Sequence, residues 1–292
     1  MTIGPQSQIP GVYHRRIGDI HVVALSDGVL LRDHYMMIGV SAGEAAVLLA
    51  RAFRSAFVLS VNAFLIFNKG RVALMETGSG HYLGPTAGHL LTNLAAAGVA
   101  PSAVDTILLT HMHPDHSAGL TDMSTGAAHY PNAELVVHAN EPRHWFDDAA
   151  MARGTEREKK LMFQQAREQA APYRDRTRTF VQGDVWPGVT AIPSYGHTPG
   201  HSSFLIDSCG ERLLIWGDTV HMPEVQVPRP EVSMVVDVEP VAAAASRQRL
   251  FEMAASERML VCGMHMHFPG FGHIGRDGAH FRFVPEAWRL SM

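Results

Sequence analysis

The sequence predicts an α+β fold in which two β-sheets pack together with helices on the outside. Three observations point there. Strand-like runs and a helical segment follow one another, and this series occurs twice along the chain. Several short apolar runs end on histidine or aspartate, so side chains distant in sequence can converge in loops at one end of the sheets. No low-complexity stretch or linker divides the 292 residues, and residues 1–292 are expected to form one domain.

The elements follow from local pattern. Residues 20–26, 60–67 and 71–76 have the β-branched and aromatic enrichment of strands. Asn68-Lys69-Gly70 between the last two has the chemistry of a hairpin turn. The less regular stretch 30–57 carries Tyr35, Met36, Met37, Phe53 and Phe57, side chains for the core or for a lid or partner contact. Pro85, the helical spacing of Leu90, Leu91 and Leu94, and the stop at Gly98 predict a helix over 85–97. Strands are expected over 104–110 and 134–138. Thr155 and Glu158 form a capping-box pattern that opens a charged helix to about residue 171. Arg174, Arg176 and Arg178 alternate along one side of an extended segment, read as a solvated edge. Strands are again expected over 189–195, 203–207 and 212–216, then a helix over 240–255 with Pro240 in its first turn. A final strand over 259–262 leads into a Gly- and Phe-rich loop.

Composition narrows the function. A hydrophobic content of 46% with 18% charged residues describes a globular protein with a sizeable core. The net charge of −4 and the lack of a long basic run argue against a nucleic-acid partner. The two cysteines, Cys209 and Cys262, sit in unrelated segments, which rules out a thiolate metal site by count and disfavours a disulfide framework. Residues 1–16 lack the pattern of a secretory leader, and no apolar run approaches the ~20 residues a spanning helix needs. A cytoplasmic protein without a membrane partner is expected.

The chemistry concentrates in His111-Met112-His113-Pro114-Asp115-His116, directly after the apolar run that ends at Thr110. His111 and His113, two apart at a strand end, can point at one ion, and Asp115 and His116 can reach a second. Imidazole and carboxylate are the usual ligands of zinc-like metals. Three further apolar runs end alike: 192–196 leads to His197 and His201, 213–217 to Asp218, and 259–263 to His265 and His267.

Thr-His-Met-His-Pro-Asp-His-Ser-Ala-Gly, Gly-His-Thr-Pro-Gly-His and Gly-Asp resemble the motifs of the metallo-β-lactamase-fold hydrolases, over about residues 17–288. Ala24-Leu25-Ser26-Asp27-Gly28, Gly84-Pro85-Thr86 and His265-Met266-His267-Phe268-Pro269-Gly270-Phe271-Gly272 are most similar to the methyl parathion hydrolase group and its lactonase relatives. The resemblance implies a four-layer αββα sandwich with a two-metal site at one edge. It implies His111, His113 and His197 on the first metal, Asp115, His116 and His265 on the second, and Asp218 bridging both. Zinc is the first expectation, with manganese, cobalt and iron open. His265 is preferred over His267 by its spacing to Phe268-Pro269-Gly270, and His201 is assigned a structural hydrogen bond. One departure stands out: the strand that ends Asp-Thr-Gly in the family ends here Glu76-Thr77-Gly78. The family's aspartate orients a metal ligand, and Glu76 must do so from further back.

The implied reaction is attack of a metal-bridging hydroxide on an ester carbon or phosphorus. Asp115 or Asp218 takes up the proton, and His221 is the candidate donor to the leaving oxygen. Trp145, Phe146, Met222 and Phe268 neighbour the ligand loops and are candidate pocket residues. The expected substrates are small apolar lactones, such as acyl-homoserine lactones, and neutral organophosphate triesters, cleaved by a possible homodimer. A glyoxalase II-type thioesterase shares the histidine motif but needs a basic patch, and none is clear in the sequence. A nuclease conflicts with the acidic balance. A non-catalytic metal-binding protein of the same fold is the remaining alternative.

Overall fold

A computed structural model describes residues 8–290. Residues 1–7, on which part of the leader reading rests, lie outside the described residues. Two seven-stranded sheets form the body. The first runs in the order Val12–Ile17, Ile20–Arg32, Phe57–Asn68, Arg71–Met75, Thr106–Leu108, Glu134–His138 and Thr177–Phe180. The second runs Gly183–Trp186, Val189–Pro193, Ser202–Ser208, Glu211–Ile215, Leu260–Cys262, Gly272–Asp277 and His280–Pro285.

Alternation along the strands builds the layers, because successive side chains face opposite sides of a sheet. Val22 and Ala24 pack between the sheets with Phe64, Ile66, Phe204, Ile206 and Ile215. Their neighbours Val23 and Leu25 face the other way, onto Leu90, Leu94, Phe163 and Ala166 of the helices. Leu214 and Val261 likewise pack outward on Leu250, Phe251 and Ala254 of the helix Pro240–Ser256. Helix, sheet, sheet, helix is the αββα sandwich expected.

Parallel pairing positions the site. Arg71–Met75, Thr106–Leu108 and Glu134–His138 run parallel in the first sheet, as do Glu211–Ile215 and Leu260–Cys262 in the second. Their carboxyl ends lead respectively to Glu76, His111, Glu141, Asp218 and His265. The hairpin at Lys69-Gly70 forms with both residues at positive φ, 50° and 76°.

Several elements differ from expectation. The second helix spans Leu90–Ala96 instead of starting at Pro85. The buried Asp27 carboxylate accepts the Ser79, Gly88 and Leu90 N–H groups, and Val29 N–H donates to Thr86. These bonds tie the approach to a strand and delay the helix. The capping box at Thr155 and Glu158 is present, but the helix it opens contains a π-helical turn over Lys159–Gln164. Arg174 and Arg176 lie on a 3-10 turn, Ala171–Arg176, and only Arg178 is on a strand. The segment after Cys262 is not all loop. It returns as the hairpin Gly272–Asp277 and His280–Pro285, which buries Ile274 and Phe281. Within the irregular stretch, Met36 and Met37 join a core with Met222, Val225 and Met234, and the helix Ala42–Arg51 follows. Tyr35 and Phe53 remain exposed. Among the described residues, no helix is long and apolar enough to cross a membrane.

Candidate metal centre

The strand ends bring His111, His113, His197 and Asp218 together, and beside them Asp115, His116 and His265. Within each group the ligand atoms lie within 4.8 Å of one another. All but Asp115 are buried. The His113 Nδ1 and His197 Nε2 atoms approach to 2.9 Å, and His197 Nε2 and His111 Nε2 to 3.2 Å. Asp218 Oδ2 stands 3.2 Å from His197 Nε2 and 3.3 Å from His265 Nε2, while its Oδ1 stands 3.1 Å from His116 Nε2. His116 Nε2, His265 Nε2 and Asp218 Oδ1 are buried without a hydrogen-bond partner. Such groups are costly unless something else binds them. Three imidazole nitrogens at these separations match the edges of a tetrahedron around an ion with Zn–N bonds of about 2.0–2.1 Å. The donor set therefore fits a divalent transition metal.

Three of the remaining ring nitrogens have partners behind them, which orients a ligand. His197 Nδ1 donates to Asp237 Oδ1 at 2.7 Å, and His265 Nδ1 donates to the Ser60 carbonyl at 2.7 Å. His111 Nδ1 and Thr110 Oγ1 share a hydrogen bond of 3.0 Å. Glu76 occupies the place of the family aspartate with a left-handed backbone, φ 66°. Its Oε1 accepts the Thr110 N–H at 2.8 Å, and its Oε2 lies 3.3 Å from His116 Nδ1. The longer side chain thus reaches both the strand end and a ligand. Gly217 has φ 56°, and a Cβ there would meet His201 Nε2 at 2.5 Å, so only glycine can precede Asp218 in this turn. His201 accepts the Asp218 N–H at Nε2 and donates from Nδ1 to Ser194 O, a structural role.

Charge follows the geometry. Burial, then the neighbouring imidazolium of His116, hold His111 well below the ordinary histidine range. Burial and then His197 do the same for His113. At His116 burial opposes the charge, but the Asp218 and Asp115 carboxylates prevail and raise it well above that range. His197 is raised to about 9, because Asp218 and Asp237 outweigh its burial. Burial works against the Asp218 carboxylate, yet the surrounding imidazoles keep it well below the usual carboxylate range. An anion ringed by imidazoles is a cation-binding arrangement.

The other candidates separate. His221 is buried with Nε2 3.0 Å from Asp218 Oδ2, and neither of its ring nitrogens has a hydrogen-bond partner. Trp145 lies against His113, ring centroids 5.3 Å apart, and lines the cleft. Met222 is core. Phe146 lines a different cavity with Met112 and Arg174, and Phe268 another with Pro223 and Phe281. Sequence adjacency placed these three at the pocket, but Phe146 just follows the helix Asn140–Trp145, Met222 just precedes the helix Pro223–Gln226 and Phe268 lies in a turn, and each faces elsewhere. His267 pairs with Glu224 and not with the cluster.

Two acids that sequence reasoning missed hold the centre. Asp237 orients His197. Glu141, fully buried, accepts four hydrogen bonds: Oε1 from Thr198 Oγ1 at 2.6 Å and Gly200 N at 2.8 Å, Oε2 from Met112 N at 2.9 Å and Trp145 Nε1 at 2.7 Å. It ties both histidine loops to Trp145. A lone acid after an apolar run is its only sequence signal.

The fold and the centre define a metal-dependent hydrolase. The sequence profile of the Metallo-beta-lactamase superfamily matches residues 56–265, and the chain belongs to that family. The structure is similar to the crystal structure of hydrolase AbOPH in the beta lactamase superfamily, with TM-score 0.91 and 31% identity over 97% of this chain and 100% of that one. It is also similar to AidC, a dizinc quorum-quenching lactonase in complex with a product, with TM-score 0.88 and 23% identity over 96% and 99%. A probable metal-dependent hydrolase from Staphylococcus aureus aligns with TM-score 0.77 and 22% identity over 94% and 100%. Comparison with curated proteins gives no match.

Proposed function

We propose that the chain, as one domain over residues 1–292, is a dinuclear metal hydrolase that opens lactones and cleaves related esters, with neutral phosphotriesters as a second substrate class. The observation that carries this reading is the pair of ligand groups, His111, His113 and His197 beside Asp115, His116 and His265, with Asp218 between them. Similarity to AidC, a lactonase with its product bound, supports the lactone. The donor set suits zinc first.

Divalent ions bound there supply Lewis acidity, polarising a carbonyl or phosphoryl oxygen and acidifying water. The protein does the rest. Asp218 is held ionised by its imidazole neighbours and is oriented by the bond from its own N–H to His201. Asp115, the least buried of the ligand candidates and part of the cleft wall, takes up the proton released on attack. Burial, more than the Asp218 carboxylate can offset, lowers the His221 pKa, so the ring is neutral and keeps one N–H. It stands where it can donate to the leaving oxygen. Trp145 and Met162 help keep water from the cleft wall.

The test is kcat/KM of metal-replete protein for a long-chain N-acyl homoserine lactone and a nitrophenyl phosphotriester, side by side. The lactone is expected to be preferred. A strong phosphotriester preference would reverse the order of the two classes, and no turnover of either would reject the hydrolase.

A further inference from the structure

The cleft beside the metal centre has two lobes that share His113, Arg157, Met162 and Val236. The smaller lobe reaches Asp115 and Asp218 and is bounded by Arg32. The larger, about 430 Å³, has Trp145, Phe163 and Val235 on its walls and Arg153 at its rim. No basic run in the sequence announces these arginines; the fold gathers Arg32 from the first sheet and Arg153 and Arg157 from two successive helices.

The carboxylates nearby are already engaged. Asp33 pairs with His34, and Asp148 with Arg167. Glu156 pairs with Lys159, and Glu158, which also lines the larger lobe, closes the capping box on Thr155 with the charge of Arg157 beside it. Asp237 holds His197 and the Met234 N–H. The guanidinium of Arg32 bonds only the Leu31 carbonyl. Among the described residues, Arg32, Arg153 and Arg157 are therefore left without an ion pair around one cleft. A guanidinium offers a planar fork of donors matched to carboxylate.

We propose that the cleft selects esters and lactones whose acyl portion ends in a carboxylate, with Arg157 and Arg153 receiving that group across the larger lobe and Arg32 adding to the field at the smaller. The apolar walls hold the methylene chain between the reacting carbonyl and the anionic end. This rests on the hydrolase reading above and narrows its substrate class.

The test compares mono-4-nitrophenyl glutarate with 4-nitrophenyl butyrate on metal-replete wild type and on the Arg153→Gln/Arg157→Gln double variant. The wild type should favour the glutarate ester by about tenfold or more in kcat/KM. The double variant should lose that preference chiefly through KM, and salt near 0.5 M should shrink it in the wild type. Equal efficiency on both esters, or a preference that survives in the variant, overturns the assignment. If neither ester is turned over, the hydrolase reading fails by itself, and calorimetric titration of the same holoprotein with glutarate and butyrate decides the arginine site. Tighter glutarate binding that the double variant weakens sustains it, and equal binding rejects it.

Discussion

At the scale of single residues, the centre is a problem in placing nitrogen lone pairs. His197 points Nε2 inward because its Nδ1–H donates to Asp237, and His265 does the same through the Ser60 carbonyl. His221 has no such partner, and its nearness to Asp218 and His265 makes it either a donor or a further ligand. The His221→Ala variant separates the two roles. The account expects kcat to fall by roughly 10²–10³-fold, the range for losing a hydrogen-bond donor to a developing oxyanion, with metal content unchanged by elemental analysis. The pH dependence of metal-stripped protein follows from His197. Its folded-state pKa, about 9, lies above the ordinary value near 6.5. Its stabilising contribution is complete below about pH 6.5 and is lost as the pH rises through 9. His116 and His265 are also raised and act in the same direction. Urea midpoints of chelator-treated protein should therefore fall between pH 6.5 and 9.5, and a flat profile would contradict the coupling. The seven ligand candidates were legible because each follows a strand-like run. Asp237 and Glu141 were not, since one sequence does not reveal which distant histidine or backbone N–H an acid will meet.

At the scale of elements, parallel pairing gathers the strand ends, and Glu141 binds them together. Its carboxylate accepts two donors on each oxygen, from three separate segments. In the Glu141→Gln variant one amide NH2 must face two donors, leaving buried groups unpaired at about 1–3 kcal/mol each. That variant should melt earlier and also bind metal more weakly, by about 10–100-fold as for other groups that orient ligands. Competition with a chelator measures the second effect, and intact metal affinity would reduce Glu141 to a purely structural bond. Short apolar runs set off by turn residues, such as Glu134–His138 after Pro131-Asn132, were placed to the residue. The helix start at Leu90 was misplaced because a tertiary contact, the Asp27 carboxylate, overrides the local proline signal. The hairpin Gly272–Asp277 and His280–Pro285 was missed because its glycines hide the alternation of Ile274, Phe281 and Phe283.

At the scale of the whole molecule, the sandwich gives each sheet one buried face toward its partner and one toward helices, and opens a single edge where both sets of parallel strands end. The repeated order of strands and helix made that architecture readable, because each sheet's alternation needs two apolar neighbours. Of the cleft, Trp145 was readable from its place after a ligand loop, but the arginines were not, because they come from separate elements, and Phe146, Met222 and Phe268 turn elsewhere. The central claim is that two divalent ions share Asp218. The measurement that tests it most directly is the metal count per chain of protein purified without chelator, for the wild type and for Asp218→Ala. The account predicts about two ions in the wild type and a marked loss in the variant. One ion or none in active wild-type protein, or an unchanged count in the variant, would contradict it.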